Sequence, residues 1–490
     1  MTPAPTRLDA LRRALQDLHA GRYAAAAAAS AAPATNPADI EASLIHALAR
    51  AAAGDLGAAP ALARIARLRP AHNHPVQDLL DLLRRTNRPA EAIPHLRAAI
   101  AALPGDPRLP SLLGELLAEF GPMPAAIEAF RQSAALQPSP AALSNLGKSL
   151  AAECRFPEAE AAFTQALALA PNNPQFQLNR AVALLKSGQL PQGWEAFECR
   201  HRLPHRPAPL PAPRLTSPDQ AQGRTVLLRH EEGFGDTLQF IRYAPMLAGL
   251  GARVLAWVPP SLTRLVARIP GVAAVVPPGT LPPPHDAWIP MLSLPRLFGT
   301  TLDQMPPTAP YLHADPTEAA RWAARLPTAA LRIGVAWAGA GRPTDPGAAA
   351  TDRVRSTTPE VLAPLGTIPG VRLVSLQFGA PAPPGMVDGM AGIRDFADTA
   401  ALVANLNAVV SVDTAVAHLA AGMGKSVLLL DRYDNCWRWL HGRTDSPWYP
   451  TLTIHRQPTP GNWPAAVADT AATLNKLLPA SPSPSGRGSG

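Results

Sequence analysis

The first 205 residues repeat with a period of 33 to 35 residues, and this period restricts the fold more than any other feature of the sequence. One series of prolines opens each unit, and a second series closes it. Because proline fits the first turn of a helix or the segment just past its end, the two series predict two helices per unit, stacked as an α-solenoid. The opening prolines are Pro89, Pro124, Pro157 and Pro191, and the closing ones are Pro104, Pro138 and Pro171.

Small and aromatic residues keep the same period. Phe130, Phe163 and Phe197 lie 33 and 34 residues apart, and the stretches "LLGELLAEFG" and "NLGKSLAAEC" each carry a small residue near the middle. This pattern resembles the tetratricopeptide repeat, which implies a groove that binds peptides or partner helices. The alternative is a generic alanine-rich helical bundle, which the regular spacing disfavours.

Charge and cysteine content exclude several classes of function. The formal net charge is +8, but no block of like charge occurs, so nucleic-acid binding is not expected. Cys154, Cys199 and Cys436 are far apart, which argues against a disulfide framework or a zinc site. Asp9 and Asp17 interrupt the N-terminal segment, and no apolar run reaches 18 residues. We therefore expect a soluble, cytoplasmic protein without a signal peptide or membrane span.

The second half of the chain has a different sequence pattern. Six of the fifteen residues from Pro204 to Pro218 are proline, which predicts a stiff linker. Beyond it, short apolar runs alternate with helical stretches, and a break falls near Pro327. This alternation predicts parallel sheets covered by helices in two lobes. The predicted strands are "TVLLRH", "RVLAWV", "AAVVP", "AWIPM", "RIGVAWAG", "RLVSLQ", "AVVSV", "SVLLLD" and "LTIHRQ".

Two strand-to-helix turns carry candidate ligand-binding residues. The first strand runs into "RHEEGFGDTLQF", where Asp236 is expected near a helix N-terminus. A later strand runs into "VVSVDTAVAHLAAGMGK", with Asp413 and Thr414 before a helix and His418 one turn inside it. A helix N-terminus offers N–H groups and a positive dipole to an anion. The structural alternative is that Asp236, Asp413 and Thr414 cap their helices and His418 is a packed helix residue.

Together, "GDTLQF" and "SVDTAVAHLAAGMGK" resemble the bacterial heptosyltransferase-type glycosyltransferases. The phrases "GVAWAG", "DRVRS", "DSPWYP" and "RQPTPGNW" resemble the subset of that family fused to tetratricopeptide repeats. The resemblance covers most of residues 223–478 and implies a GT-B fold of two Rossmann-like lobes. It also implies inverting sugar transfer from a nucleotide diphosphate donor, without a metal or other cofactor.

The resemblance assigns roles to individual residues. Asp236 matches the general base that takes the proton of the acceptor hydroxyl. Asp413 and Thr414 match the motif that holds the sugar and diphosphate of the donor, with His418 nearby. The loop after "GVAWAG" is expected to place further donor-binding residues against the diphosphate, and these are Arg353, Arg355 and Ser356.

The resulting expectation is an α plus α/β chain. It comprises a tetratricopeptide repeat array (1–205), a proline-rich linker (206–222), an acceptor lobe (223–328), a nucleotide-sugar donor lobe (329–478) and a disordered tail (479–490). The expected function is transfer of a sugar to a protein or glycan acceptor presented by the repeats. The alternative is a repeat scaffold with a degenerate transferase-like domain that mediates protein–protein interaction.

Overall fold

The computed structural model describes residues 6–36, 38–68, 89–204, 207–277, 279, 281–306, 310–339, 341 and 346–478. The chain divides into two compact units, Met1–Asn179 and Arg180–Gly490. The tail expected at 479–490 lies outside the described residues. No helix within the described ranges combines the length and the apolar character needed to cross a bilayer.

The described part of the first unit is helical, as the repeat predicts. A tenth helix, α10 (Pro174–Lys186), contains the boundary between the units. The nine helices described before it are α1 (Arg7–His19), α2 (Tyr23–Ala34), α3 (Ile40–Ala52), α4 (Ala59–Leu68), α5 (Ile93–Ala102), α6 (Arg108–Phe120), α7 (Met123–Leu136), α8 (Pro140–Ala152) and α9 (Phe156–Leu169).

The periodic residues occupy the positions that their chemistry requires. Pro124 and Pro157 are the second residues of α7 and α9, where a missing N–H costs no helical hydrogen bond. The small residues lie where paired helices cross. A Cβ on Gly114 would lie 2.7 Å from the Phe130 ring, and Gly147 meets Phe163 at the same distance one period later. Glycine and phenylalanine are therefore matched across each helix pair.

The second unit opens with the end of α10 and α11 (Leu190–Phe197), followed by a four-stranded sheet. The strand order is β3-β2-β1-β4, and its neighbouring strands are parallel. The strands are β1 (Thr225–Arg229), β2 (Arg253–Trp257), β3 (Val272–Val276) and β4 (Ala287–Pro290). The helices that follow β1 along the chain, before the next sheet begins, are α12 (Phe234–Phe240), α13 (Ala244–Gly249), α14 (Pro260–Val266), α15 (Leu294–Leu297) and α16 (Pro316–Ala323).

A seven-stranded sheet follows, in the order β10-β11-β9-β8-β5-β6-β7. Its pairs are parallel except β10 with β11. The strands are β5 (Leu331–Ala336), β6 (Val371–Ser375), β7 (Val387–Asp388), β8 (Ala408–Val412), β9 (Ser426–Asp431), β10 (Asp445–Ser446) and β11 (Tyr449–Arg456). The helices are α17 (Pro346–Arg355), α18 (Pro359–Leu362), α19 (Phe396–Val403), α20 (Ala415–Gly422) and α21 (Trp463–Leu477).

The proline-rich segment after residue 206 is attached to the first sheet. The Leu215 N–H donates to the carbonyl of Trp288 at 2.9 Å, and the Trp288 N–H donates to the carbonyl of Pro213 at 3.1 Å. The indole N–H of Trp288 donates to the carbonyl of Ala212 at 2.9 Å. The segment thus runs along β4 and covers that edge of the sheet, a place where prolines are tolerated.

Candidate functional site

In both sheets, the order in which the chain adds strands reverses close to the strands that precede the candidate residues. In the first sheet the chain leaves β1 toward β2 and β3 and later adds β4 on the other side. In the second sheet it leaves β5 toward β6 and β7, then returns to add β8 and β9 on the other side. Ligands of open α/β sheets bind at such points, beyond the carboxyl ends of the strands. Asp236 follows β1, and Asp413 follows β8.

Asp236 lies in the first turn of α12, with only 9% of its side chain exposed. Its Oδ2 accepts the N–H of Gly233 at 3.1 Å, so the carboxylate caps its helix as the structural alternative expected. Its Oδ1 accepts two N–H groups of Arg438, from Nε at 3.0 Å and from Nη2. Asp236 is therefore both a helix cap and one half of an ion pair that joins the two sheets.

The two sequence motifs touch each other. Gly235 lies against the His418 ring, and a Cβ at Gly235 would lie 2.8 Å from His418 Cδ2. His418 Nε2 is 3.9 Å from Asp413 Oδ1, and its Nδ1 is 2.9 Å from the Tyr449 hydroxyl. The imidazole also stacks on the indole of Trp439, with ring centroids 4.8 Å apart. Residues nearly 200 positions apart thus form one buried cluster, and His418 is packed on several sides.

Thr414 is the N-cap residue of α20, but its hydroxyl lies 2.8 Å from the Ser411 hydroxyl, and no side chain of the described residues caps the helix. Thr414, Ala415 and Val416 are all partly exposed. The backbone at this helix start is therefore within reach of a ligand. An anion is favoured there by the unsatisfied N–H groups and the helix dipole.

The segment of Arg353, Arg355 and Ser356 differs from the expectation. The sequence predicts a loop, but both arginines belong to α17, whose alanine-rich sequence favours a helix. Arg355 points to the site: its Nη1 donates to the carbonyl of Asp413 at 3.2 Å, and its Nη2 is 2.6 Å from Asp352. Arg353 is exposed, and residues two apart on a helix face different directions. Ser356 lies just past α17, where its hydroxyl accepts the N–H of Gly339 at 3.2 Å.

Positive charge surrounds Asp413. Burial alone would raise the pKa of its carboxyl group, but the charges of Arg438, Arg355 and Arg432 hold that pKa below its usual value. Arg355 Nε is buried and has no hydrogen-bond partner among the described residues. Within the described residues, no group of three or more His, Cys, Asp or Glu side chains could hold a metal ion.

Arg438 is the site residue that sequence reasoning missed. It lies in the segment 432–441, here called the β9 loop, which follows β9. Its guanidinium lies 4.1 Å from the centre of the Trp437 ring, and its Nη1 donates to Cys436 Sγ at 3.2 Å. The strand "SVLLLD" was predicted, and its carboxyl end lies beside that of β8. The sequence signal that could have identified Arg438 was an arginine between two tryptophans in the loop after this strand.

The β9 loop is held by the helices that open the second unit. Lys186 Nζ donates to the carbonyl of Asp434 at 2.6 Å, and the N–H of His441 donates to the carbonyl of Lys186 at 3.0 Å. The indole of Trp194 on α11 packs edge-on against Trp437, with centroids 5.5 Å apart. The backbone on both sides of Arg438 is therefore anchored. A ligand at the site would therefore contact a loop whose backbone is held in place. The long side chain of Arg438 on that loop can still rotate.

The burial of His418 predicts acid sensitivity of the second unit. Burial lowers the pKa of His418 to about 3, whereas the unfolded chain has a histidine pKa of about 6.5. The folded state therefore resists protonation, and stability should fall as pH drops below about 6.5. Between pH 7.5 and pH 5, His418 should cost about 2 kcal/mol of the free energy of unfolding. His418→Gln should remove that loss.

The measurement is urea unfolding followed by tryptophan fluorescence. All nine tryptophans of the chain lie between residues 194 and 463, so the signal reports the second unit alone. His313→Gln, at an exposed histidine, is the matched control and should keep the pH dependence of the wild type. Equal pH dependence in His418→Gln and the wild type would show that His418 is not the group responsible.

Comparison with known proteins adds information mainly on the repeats. The tetratricopeptide repeat family matches residues 78–141 and 140–173. Protein FlbA of Caulobacter vibrioides is 26% identical over 476 residues, which cover 86% of this chain and 78% of FlbA.

Two solved structures contain segments similar to part of this chain. A MamA fragment of Desulfovibrio magneticus is 24% identical and covers 33% of this chain and 93% of its own, with a TM-score of 0.28. A tetratricopeptide repeat protein of Thermus thermophilus is 24% identical and covers 37% and 100%, with a TM-score of 0.25. The family matches and the helix pairs together show that the N-terminal region contains tetratricopeptide repeats, ahead of a region of mixed α/β sheets.

Proposed function

We propose that this chain is an inverting, metal-independent glycosyltransferase of the GT-B type. It would transfer a sugar from a nucleotide diphosphate donor to a protein or glycan acceptor presented by the repeats. The observation that carries the proposal is the contact between the two motifs: Gly235, next to Asp236, lies against His418, which is 3.9 Å from Asp413. A candidate base and a candidate anion site thus lie side by side.

The charge distribution supports a diphosphate ligand near Asp413. Arg355 has a buried N–H without a partner among the described residues, and the start of α20 is uncapped by any of their side chains. Guanidinium groups and helix N-termini are suited to phosphate oxygens. In the reaction they would stabilise the negative charge that grows on the leaving nucleoside diphosphate.

The proposed chemistry is a single displacement. Asp236 takes the proton of the acceptor hydroxyl while that oxygen attacks the anomeric carbon of the donor sugar. The bond from this carbon to the diphosphate oxygen breaks, and the nucleoside diphosphate leaves with the electron pair. Attack on the face opposite the leaving group inverts the anomeric configuration. His418 supports this arrangement as a packed, neutral imidazole beside Asp413.

A second candidate is a protein-interaction scaffold without catalysis. The tetratricopeptide repeats favour it, because such arrays bind peptides and partner helices. The Arg438 pairing of Asp236 is also compatible with it, since an ion pair between the sheets would serve as a purely structural link. In this case the protein presented by the repeats would be a binding partner and would not receive a sugar.

Titration calorimetry with UDP, GDP, ADP and dTDP separates the two candidates. The transferase proposal predicts binding of one nucleoside diphosphate. Arg355→Gln should weaken that binding at least about tenfold, because it removes charge-assisted hydrogen bonds to the phosphates. Arg253→Gln, at an exposed arginine at the start of β2, should leave the affinity unchanged. Absence of binding to all four nucleotides would favour the scaffold.

A further inference from the structure

Arg438 uses its hydrogen-bonding capacity poorly in the free protein. Its Nε and Nη2 converge on a single oxygen, Oδ1 of Asp236, so the pair is not the parallel two-oxygen fork that arginine prefers. Its Nη1 donates to the sulfur of Cys436, which is a weak acceptor. A ligand with several phosphate oxygens would satisfy these N–H groups better.

Both carboxylate oxygens of Asp236 already accept hydrogen bonds in the free protein. One oxygen accepts the N–H of Gly233 and the other accepts both N–H groups of Arg438. A general base must offer a lone pair to the proton that it removes, within hydrogen-bond distance. As long as Arg438 holds Oδ1, an acceptor hydroxyl competes with a charged donor for that oxygen.

Arg438 also acts on the second carboxylate of the site. Several positive charges oppose the effect of burial and lower the pKa of Asp413, and the charge of Arg438 has the largest effect. The guanidinium contacts Asp236 on α12, and its charge acts on Asp413, which directly follows β8. A diphosphate bound at the start of α20 would lie next to Asp413 and within the reach of the arginine side chain. Lys186 and Trp194 hold the backbone of the β9 loop in place, so the change would be confined to the Arg438 side chain.

We propose that Arg438 exchanges partners during the reaction. In the free protein it pairs with Asp236; when the donor binds, its guanidinium turns to the diphosphate oxygens and releases Asp236 to act as base. Arg438 is then a donor-binding residue that couples donor binding to activation of the base. This inference rests on the proposed transferase function. It implies an ordered reaction, in which the donor binds before the acceptor becomes reactive.

A double-mutant cycle tests the exchange by calorimetry with UDP, GDP, ADP and dTDP. Asp236→Asn removes the charge that competes for Arg438, so it should tighten binding of the nucleotide three- to tenfold. Arg438→Gln should weaken binding at least tenfold, and Arg438→Lys should have an intermediate effect. In the Arg438→Gln background, Asp236→Asn should no longer change the affinity. That loss of effect is a signature that a merely structural role of Arg438 would not produce.

The outcomes separate the two proposals. If the wild type binds a nucleotide but Asp236→Asn leaves the affinity unchanged or weakens it, the exchange is wrong and the transferase proposal stands. The exchange is also wrong if Asp236→Asn tightens binding equally with and without Arg438, because the effect would then be general electrostatics. If the wild type binds none of the four nucleotides, the proposed function fails and the exchange fails with it. Asp303→Asn, at an exposed carboxylate, controls for a simple change of net charge.

Discussion

Asp236→Asn is expected to lower the rate of donor hydrolysis at least about 100-fold, which is the usual contribution of a general base. In the proposed reaction, water takes the place of an absent acceptor, and Asp236 would activate that water. Asparagine keeps the shape of the side chain but cannot take the proton. The measurement is release of nucleoside diphosphate from the donor that the wild type binds.

The same variant should bind the nucleotide more tightly, because it frees Arg438. A fall in turnover combined with a rise in affinity distinguishes a lost base from a damaged site, which would lose both. Asp303→Asn should hydrolyse the donor at the wild-type rate. If Asp236→Asn hydrolysed the donor at that rate as well, Asp236 would not be the base.

Arg242→Met is expected to lower the free energy of unfolding of the second unit by about 3–5 kcal/mol, because it leaves three buried acceptors without a donor, at about 1–3 kcal/mol each. Arg242 is 2% exposed. It donates to the carbonyls of Gln239 and Trp448, both at 2.7 Å, and to the Tyr311 hydroxyl at 2.9 Å. Methionine fills a similar volume but leaves these acceptors buried without a donor.

The Arg242 contacts also join the two sheets, since Arg242 follows α12 and its partner Trp448 directly precedes β11. Tyr311 in turn donates to the carbonyl of Leu238 on α12 at 2.8 Å. Urea unfolding followed by tryptophan fluorescence measures the loss in the second unit. Arg253→Met makes the same chemical change at an exposed arginine and should stay within about 0.5 kcal/mol of the wild type. A loss of less than 1 kcal/mol in Arg242→Met would show that the neighbouring groups can rearrange or take up water.

The strands were largely predictable because each is a short apolar run between polar turns. All nine predicted strands are present, and "AVVSV" and "SVLLLD" match β8 and β9 in full. The two that were missed, β7 and β10, are two residues long and leave no hydrophobic pattern. The helical stretch "DTLQFIRYAPMLAGL" (236–250) is divided, with a 3₁₀ turn at Ile241–Tyr243 between α12 and α13. Pro245 lacks the N–H that a continuous helix would need at that point.

The site was predictable only where its residues follow a strand directly. Asp236, Asp413 and His418 were found because strand-to-helix turns place them at the carboxyl edges of the sheets. Arg438 follows its strand by seven residues, and its pairing with Asp236 depends on how two distant segments meet, which no local pattern encodes. Arg353 and Arg355 were both predicted to bind the donor, but residues two apart on a helix face different directions. Arg355 is the one whose guanidinium donates to the carbonyl of Asp413.

The fate of the donor sugar tests the proposed inverting transfer most directly. The protein is incubated with UDP-, GDP-, ADP- and dTDP-linked sugars of α configuration, and the sugar released to water is followed by proton NMR. Release is expected from one donor, with the β anomer formed first and the reaction at least about 100-fold slower in Asp236→Asn. First release of the α anomer would contradict inversion. No release from any donor by the folded wild-type protein would contradict the transferase and leave the repeat scaffold.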